Sequence, residues 1–318
     1  MRAAVIIAPH AVEIRDVPAP EPAPGEVRVR LEGCGVCASN LLAWEGHDRF
    51  TYPLEPGALG HEGWGAVNAL GEGVQCPGVD DRVAILSTHA YAEQDVAPAD
   101  RVIPLPLALA GQPFPGEPLG CAVNVFRRSE IRPGKTVAVV GIGFLGALLT
   151  RMASRMGVHV IAISRRPFAL EVARTMGAAE TIVMGDQGRV VEEVKDLTCG
   201  EMCDVVVEAV GEQGPLDLAG ELTRVRGRLV IAGYHQDGPR RVDMRMWNWR
   251  GIDVINAHER DPRVRVEGVR SAVDMVMSGE MDPTPLLTHR FPLERLGEAL
   301  DAARERPPGF MKAIVVAS

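Results

Sequence analysis

Three short stretches in the first part of the chain carry side chains that can hold a metal ion. Cys37 stands in Gly33-Cys34-Gly35-Val36-Cys37-Ala38-Ser39-Asn40, His61 and Glu62 in Gly60-His61-Glu62-Gly63, and Glu117 in Glu117-Pro118-Leu119-Gly120-Cys121. Thiolate, imidazole and carboxylate together suit zinc, and an incomplete protein shell leaves one position for water or a substrate oxygen. A second constellation follows at Gly141-Ile142-Gly143-Phe144-Leu145-Gly146. It comes directly after an apolar strand pattern and opens a helical one, the context in which Gly-x-Gly-x-x-Gly signals a dinucleotide. The first glycine permits the tight turn, the second lets backbone approach the pyrophosphate, and the third lets helix and strand pack closely. The helix amino terminus attracts the phosphate charge.

At the end of the next strand a NAD-type unit places an acidic residue for the ribose hydroxyls. Here the place reads Ile163-Ser164-Arg165-Arg166, with no carboxylate and two guanidinium groups. Arginine pairs well with a phosphate dianion, so Ser164, Arg165 and Arg166 point to NADP(H) in preference to NAD(H). The alternative, that these arginines are solvated surface charges, stays open at this point.

The elements that must position these residues fall into two textures. Ala3 to Ile7 is a short apolar run and Glu26 to Leu31 alternates with period two, so both read as strands. The proline-rich stretch Val17 to Gly25 between them cannot be helix. Strand-like runs and Gly/Pro turns continue to about residue 106, a β-rich region. After Gly116 strands alternate with helices: strand Val137 to Val140, helix Leu145 to Met156, strand Val158 to Ile163, then a helix from Pro167 to Met176 capped by Gly177. Strands Asp204 to Glu208 and Arg228 to Ala232 follow, with a helix between them. Such alternation implies a parallel sheet covered on both faces. From about residue 258 come a helix (Val264 to Ser278), a second (Leu293 to Arg306) and a last strand, Met311 to Val316. The expected fold class is α/β, a doubly wound Rossmann sheet joined to a β-rich domain.

Composition sets outer bounds. Of 318 residues, 46% are apolar and 24% charged, as in a globular enzyme. A net charge of −8 argues against a nucleic-acid partner. No stretch is long and apolar enough to span a bilayer, and Met1 to Pro9 lacks the marks of a signal peptide, so a cytoplasmic protein is expected. Six cysteines in a chain this long do not form a secreted disulfide framework.

The chain resembles a zinc-type medium-chain dehydrogenase/reductase of the alcohol and polyol dehydrogenase kind, along essentially its whole length. Gly60-His61-Glu62-x-x-Gly65-x5-Gly71 fits that family's zinc signature, and Gly35 to Asn40 resembles its first-ligand loop. Glu117-Pro118-Leu119, 24 residues before Gly141, resembles the third-ligand segment of the sorbitol and threonine dehydrogenase branch. The resemblance implies a GroES-like catalytic domain over residues 1–122 and 259–318 and a Rossmann domain over 123–258. It implies one catalytic zinc on Cys37, His61 and Glu117, with Glu62 exchangeable or behind the ligands and Cys121 as alternate to Glu117. Ser39 would relay the proton beside the substrate oxygen. Ala209, after the strand ending at Glu208, and Gly233, in Ala232-Gly233-Tyr234-His235-Gln236, would line the cofactor. The cysteine-rich lobe that carries a second, structural zinc in many members has no counterpart here. Met246 to Trp249 and Gly251 to Asn256 resemble the family's subunit-pairing edge, which implies a homodimer or homotetramer. The implied activity is hydride transfer between NADP(H) and a small hydroxyl or carbonyl substrate: a secondary alcohol, polyol, sugar or cyclitol, or its ketone. Two other readings stay open: a zinc-free quinone or enoyl reductase of the same superfamily, and a redox-inactive dinucleotide-binding protein.

Overall fold

The structure, a computed structural model, describes residues 1–317. The chain divides into two compact units, one formed by residues 1–120 with the segment from 261 onward, the other by residues 121–260. Among the described residues no helix is long and apolar enough to cross a membrane.

The first unit is built on a seven-stranded sheet. Its longest strand, Glu26–Gly35, pairs antiparallel with Gly63–Leu70 along one side. On the other side its first half pairs with Gln94–Pro98 and its last residues with Ala313–Val316. The period-two pattern does what alternation requires: Val27, Val29 and Leu31 are buried while the arginines between them are not. They pack with Trp44, Tyr91 and the apolar face of helix Leu296–Glu305. The expected last helix is shorter at both ends. Leu293–Arg295 is a separate 3-10 turn, and Arg306 is left-handed at φ 50°.

The second unit is a six-stranded sheet in which every neighbour runs parallel. Thr136–Val140 lies at its centre, flanked on one side by His159–Ser164 and Glu180–Val183. On the other side lie Cys203–Glu208, Thr223–Ile231 and Asp253–Asn256. Numbered along the chain this is the order 3-2-1-4-5-6 of a doubly wound dinucleotide fold. Val137 to Val140 and Val160 to Ile163 are almost wholly buried, which explains why they read as unbroken apolar runs.

Three elements were not legible in advance. Helix Gly116–Ser129 begins Gly-Glu-Pro, and proline is tolerated in a first turn, where its missing N–H has no intrahelical partner. Helix Gln187–Leu197 buries only Val190 and Val194, and is started by the Asp186 carboxylate accepting the Arg189 N–H at 2.9 Å. Strand Glu180–Val183 is a short edge. The fifth strand also starts earlier than its apolar core suggests, because Thr223 to Gly227 joins through a register shift with Arg226 at φ 56°.

Candidate active site

Strand register brings the first constellation together. Cys34 stands opposite Gly63, and Gly35 opposite Ile314. Val36-Cys37, His61-Glu62 and Lys312 therefore share one end of the sheet, although Glu62 and Lys312 are 250 residues apart in sequence. Cys37 leads into the 3-10 turn Ala38–Asn40, on which Ser39 sits half-buried. Ligand atoms of Cys37, His61 and Glu62 lie within 4.8 Å of one another, the one such group among the described residues.

The surroundings of that group are strongly polarised. His61 Nδ1 is 2.8 Å from the Leu59 carbonyl oxygen, which can only accept, so in the neutral ring Nδ1 carries the proton and Nε2 keeps its lone pair. Leu59 is itself held: it is left-handed at φ 72°, and its carbonyl also accepts from Asn40 Nδ2 at 3.1 Å. The Tyr91 hydroxyl donates to Asn40 Oδ1 at 2.8 Å. Burial alone would lower the His61 pKa. The hydrogen bond and charge of Cys37, then Glu117 and Glu62, reverse this and raise it to about 10. An imidazole beside a thiol and two carboxyl groups is a site that calls for positive charge, met by a proton or by a metal cation.

Glu62 is fully buried, and Lys312 Nζ donates to its Oε1 at 2.7 Å and to the Val36 carbonyl at 3.2 Å. Burial would depress the Lys312 ammonium, but the charges of Glu62, Cys37 and Glu117 push its pKa up instead. Gly35 makes room for the carboxylate: a Cβ there would fall 1.8 Å from Glu62 Oε2. Cys34 is the opposite of Cys37. Burial, and then the Glu62 charge, push its thiol well up, and it donates to the Gly35 carbonyl. It is a protonated packing group, not a ligand.

Glu117 stands apart from the three-residue group. It lies in the first turn of Gly116–Ser129, and its Oε1 accepts from Arg265 Nη2 at 3.1 Å. It is near enough for its charge to act on His61 and Lys312. Cys121 is a half-buried free thiol. His47 and His89 pair with Asp48 and Glu55 at the surface. Two residues escaped sequence reasoning. Lys312 had a signal, being one of only three lysines and lying at the head of an apolar strand. Arg265, one arginine of many on an ordinary helix, had none.

In the second unit the glycine turn leaves Thr136–Val140 and enters Phe144–Arg155. The three glycines differ in what a side chain would meet. Gly141 has φ 100°, and its Cβ would strike Val210 at 2.4 Å. Gly146 would strike the Gly141 carbonyl oxygen at 2.0 Å, while around Gly143 nothing lies within 4 Å. Phe144 and Leu145 open the helix. Ser164 is buried at the end of its strand, and Arg166 turns back so that Nη2 donates to the Ile142 carbonyl within the glycine turn at 3.1 Å. Arg165 is largely exposed, 4.0 Å from Glu212. Ala209 N–H bonds the Val140 carbonyl at 2.8 Å, beside the turn, and Gly233 follows the neighbouring strand.

Comparison with known proteins agrees with both halves of this description. The family described as alcohol dehydrogenase GroES-like domain matches residues 23–107, and that described as zinc-binding dehydrogenase matches residues 145–274. A sorbitol dehydrogenase of Bacillus subtilis (strain 168) is 25% identical, with 99% of this chain and 97% of that protein covered. An alcohol dehydrogenase of Rhizobium meliloti (strain 1021) is 32% identical over 69% of this chain and 73% of its own length. A solved structure from Sinorhizobium meliloti 1021, described as a zinc-binding dehydrogenase bound to NADP, superposes with a TM-score of 0.84 at 25% identity, covering 99% of this chain and 98% of that one. A parallel dinucleotide sheet, a GroES-like sheet carrying the cysteine-histidine-glutamate group and these relatives lead to one assignment: the chain belongs to the zinc-type medium-chain dehydrogenase/reductase family, among its alcohol and polyol dehydrogenases.

Proposed function

We propose that the protein is a zinc-dependent oxidoreductase that moves a hydride between NADP(H) and a secondary alcohol or its ketone, of the polyol, sugar or cyclitol class. The observation that carries this reading is the Cys37-His61-Glu62 group, whose donor types suit zinc and whose electrostatics call for a cation. Bound zinc supplies Lewis-acid polarisation of the substrate oxygen, and the bound nicotinamide accepts or returns the hydride. Cys37 and His61 would hold the metal, the Leu59 carbonyl fixing the imidazole tautomer that keeps the Nε2 lone pair available to it. The grouping favours Glu62 as the third ligand, and Glu117, kept on Arg265, as the nearby carboxylate that exchanges with it or faces substrate hydroxyls. Ser39 Oγ passes the substrate hydroxyl proton outward. The open backbone at Gly143 would receive the cofactor's phosphates, and Arg165 and Arg166 would hold the ribose phosphate. The sorbitol dehydrogenase relative supports the polyol class, and the NADP-bound relative supports the cofactor choice.

The test is a panel of polyols, sugars, cyclitols and simple ketones followed at the nicotinamide absorbance with each cofactor, beside metal analysis of the purified protein. Wild type should retain zinc and reduce NADP faster than NAD, and Cys37→Ser should lose both metal and turnover. Turnover that survives complete zinc removal would favour the quinone or enoyl reductase reading instead. Faster turnover with NAD at equal concentration would overturn the cofactor assignment.

A further inference from the structure

The second unit contains a buried carboxylate that the proposed chemistry does not use. Glu208 ends the fourth strand of the parallel sheet and is completely buried. Its Oε1 accepts the backbone N–H groups of Val210 and Gly211, each at 2.7 Å. Its Oε2 lies 3.0 Å from His235 Nε2, in the segment that leaves the fifth strand. On the far side of the ring, Arg240 Nε is 2.9 Å from His235 Nδ1. A guanidinium only donates, so Nδ1 accepts, and Nε2 bears the proton given to Glu208. Arg240 also donates from Nη2 to the Gly211 carbonyl at 2.8 Å and pairs with Asp237. Gly233 belongs to the same arrangement: a Cβ there would lie 2.6 Å from Glu208 Oε2 and 2.2 Å from the Gly211 nitrogen.

We propose that His235, clamped between Glu208 and Arg240, is a positioning residue for the nicotinamide end of the cofactor. Resting on the dinucleotide reading above, the inference assigns that end to a specific clamp. In a doubly wound sheet the ligand lies across the carboxyl ends of the strands, one mononucleotide on each half. The glycine turn and Arg165-Arg166 belong to strands one and two, the adenosine half. The segment Gly233 to Arg240 follows strand five, in the other half, and has little regular structure to hold its shape. It is tied at its start by the Gly233 N–H, which bonds the Glu208 backbone carbonyl at 2.8 Å, and beyond that by the hydrogen bonds centred on His235 and Arg240. Glu208 keeps its two backbone donors whatever happens at His235, so the strand-four end has its own support. Loss of His235 therefore cuts the tie between Glu208 and Arg240, loosens the middle of the strand-five segment and leaves the adenosine half in place.

The experiment compares His235→Phe, which keeps a ring but neither polar atom, with His235→Gln, whose amide can still donate to Glu208. Binding of NADPH is titrated by fluorescence and binding of adenosine 2′,5′-bisphosphate, which lacks the nicotinamide half, by calorimetry. For His235→Phe, NADPH should bind about tenfold more weakly, the size expected when a hydrogen bond to a buried charge is lost, with the bisphosphate unchanged. His235→Gln should recover most of the difference. Equal weakening of both ligands, or unchanged NADPH binding, overturns the inference. A wild-type protein that binds neither of these ligands nor NADH would overturn the dinucleotide reading itself.

Discussion

The most consequential residue pair in the first unit is Glu62 with Lys312, a buried ionic contact at the sheet end that carries Cys37 and His61. Two buried opposite charges repay little net stability together, but removing one leaves the other without compensation. Lys312→Met should therefore destabilise the zinc-free protein by roughly 3–5 kcal/mol, read from chemical denaturation. Adding Glu62→Gln to it should restore much of that loss. If the single variant is as stable as wild type, the pair is not the buried contact described. The same pair shows where sequence reading stops. Cys37, His61 and Glu62 were legible because their types and glycine-rich settings resemble a zinc signature. Lys312 reaches them through the antiparallel pairing of Ala313–Val316 with Gly33 to Gly35, a long-range register that no local pattern encodes. Glu117 was legible as a candidate ligand, but its engagement with Arg265 depends on the placement of helix Pro262–Met277.

Among the elements, the turn between Thr136–Val140 and Phe144–Arg155 separates packing from binding most cleanly. Gly146→Ala forces a Cβ against the Gly141 carbonyl and must push helix from strand, so the melting temperature should fall by several degrees. Gly143→Ala meets nothing within 4 Å and has a negative φ, so the fold should melt where wild type does. Its methyl group would occupy space reserved for phosphate, and NADPH affinity should drop about tenfold or more through lost backbone hydrogen bonds to a charged group. Thermal scans paired with cofactor titration distinguish the two; a destabilised Gly143→Ala would refute the division. The central strands were legible because burial on both faces leaves continuous apolar runs. Gln187–Leu197 was not, because a surface helix burying two valines carries little periodic signal. The proline in Gly116–Ser129 masked a helix that begins where proline is harmless.

On the scale of the whole molecule, the parallel sheet ends at Asp253–Asn256, an edge with free backbone groups. The adjoining helix Met244–Arg250 carries Trp249 at 89% exposure and Met244 at 60%. The resemblance of this edge to the family's pairing edge makes it the face at which contact between two copies is tested. Light scattering should give at least twice the 34.2 kDa chain mass, and Trp249→Glu should shift the protein toward monomer; a monomeric wild type would refute the assignment. The division of the chain carries a different consequence, one of timing. The unit bearing Cys37 and His61 is interrupted by the whole of residues 121–260 and takes its closing strand from Ala313–Val316. During synthesis the interrupting unit is complete in the nascent chain while the interrupted one still lacks Lys312 and its last strand. Order of emergence from the ribosome thus lets the parallel-sheet unit form before the interrupted one is complete. The buried carboxylate Glu62 acquires its counter-ion only when the final residues of the chain arrive, so a chain truncated before Lys312 would keep the parallel-sheet unit and lack the completed first unit.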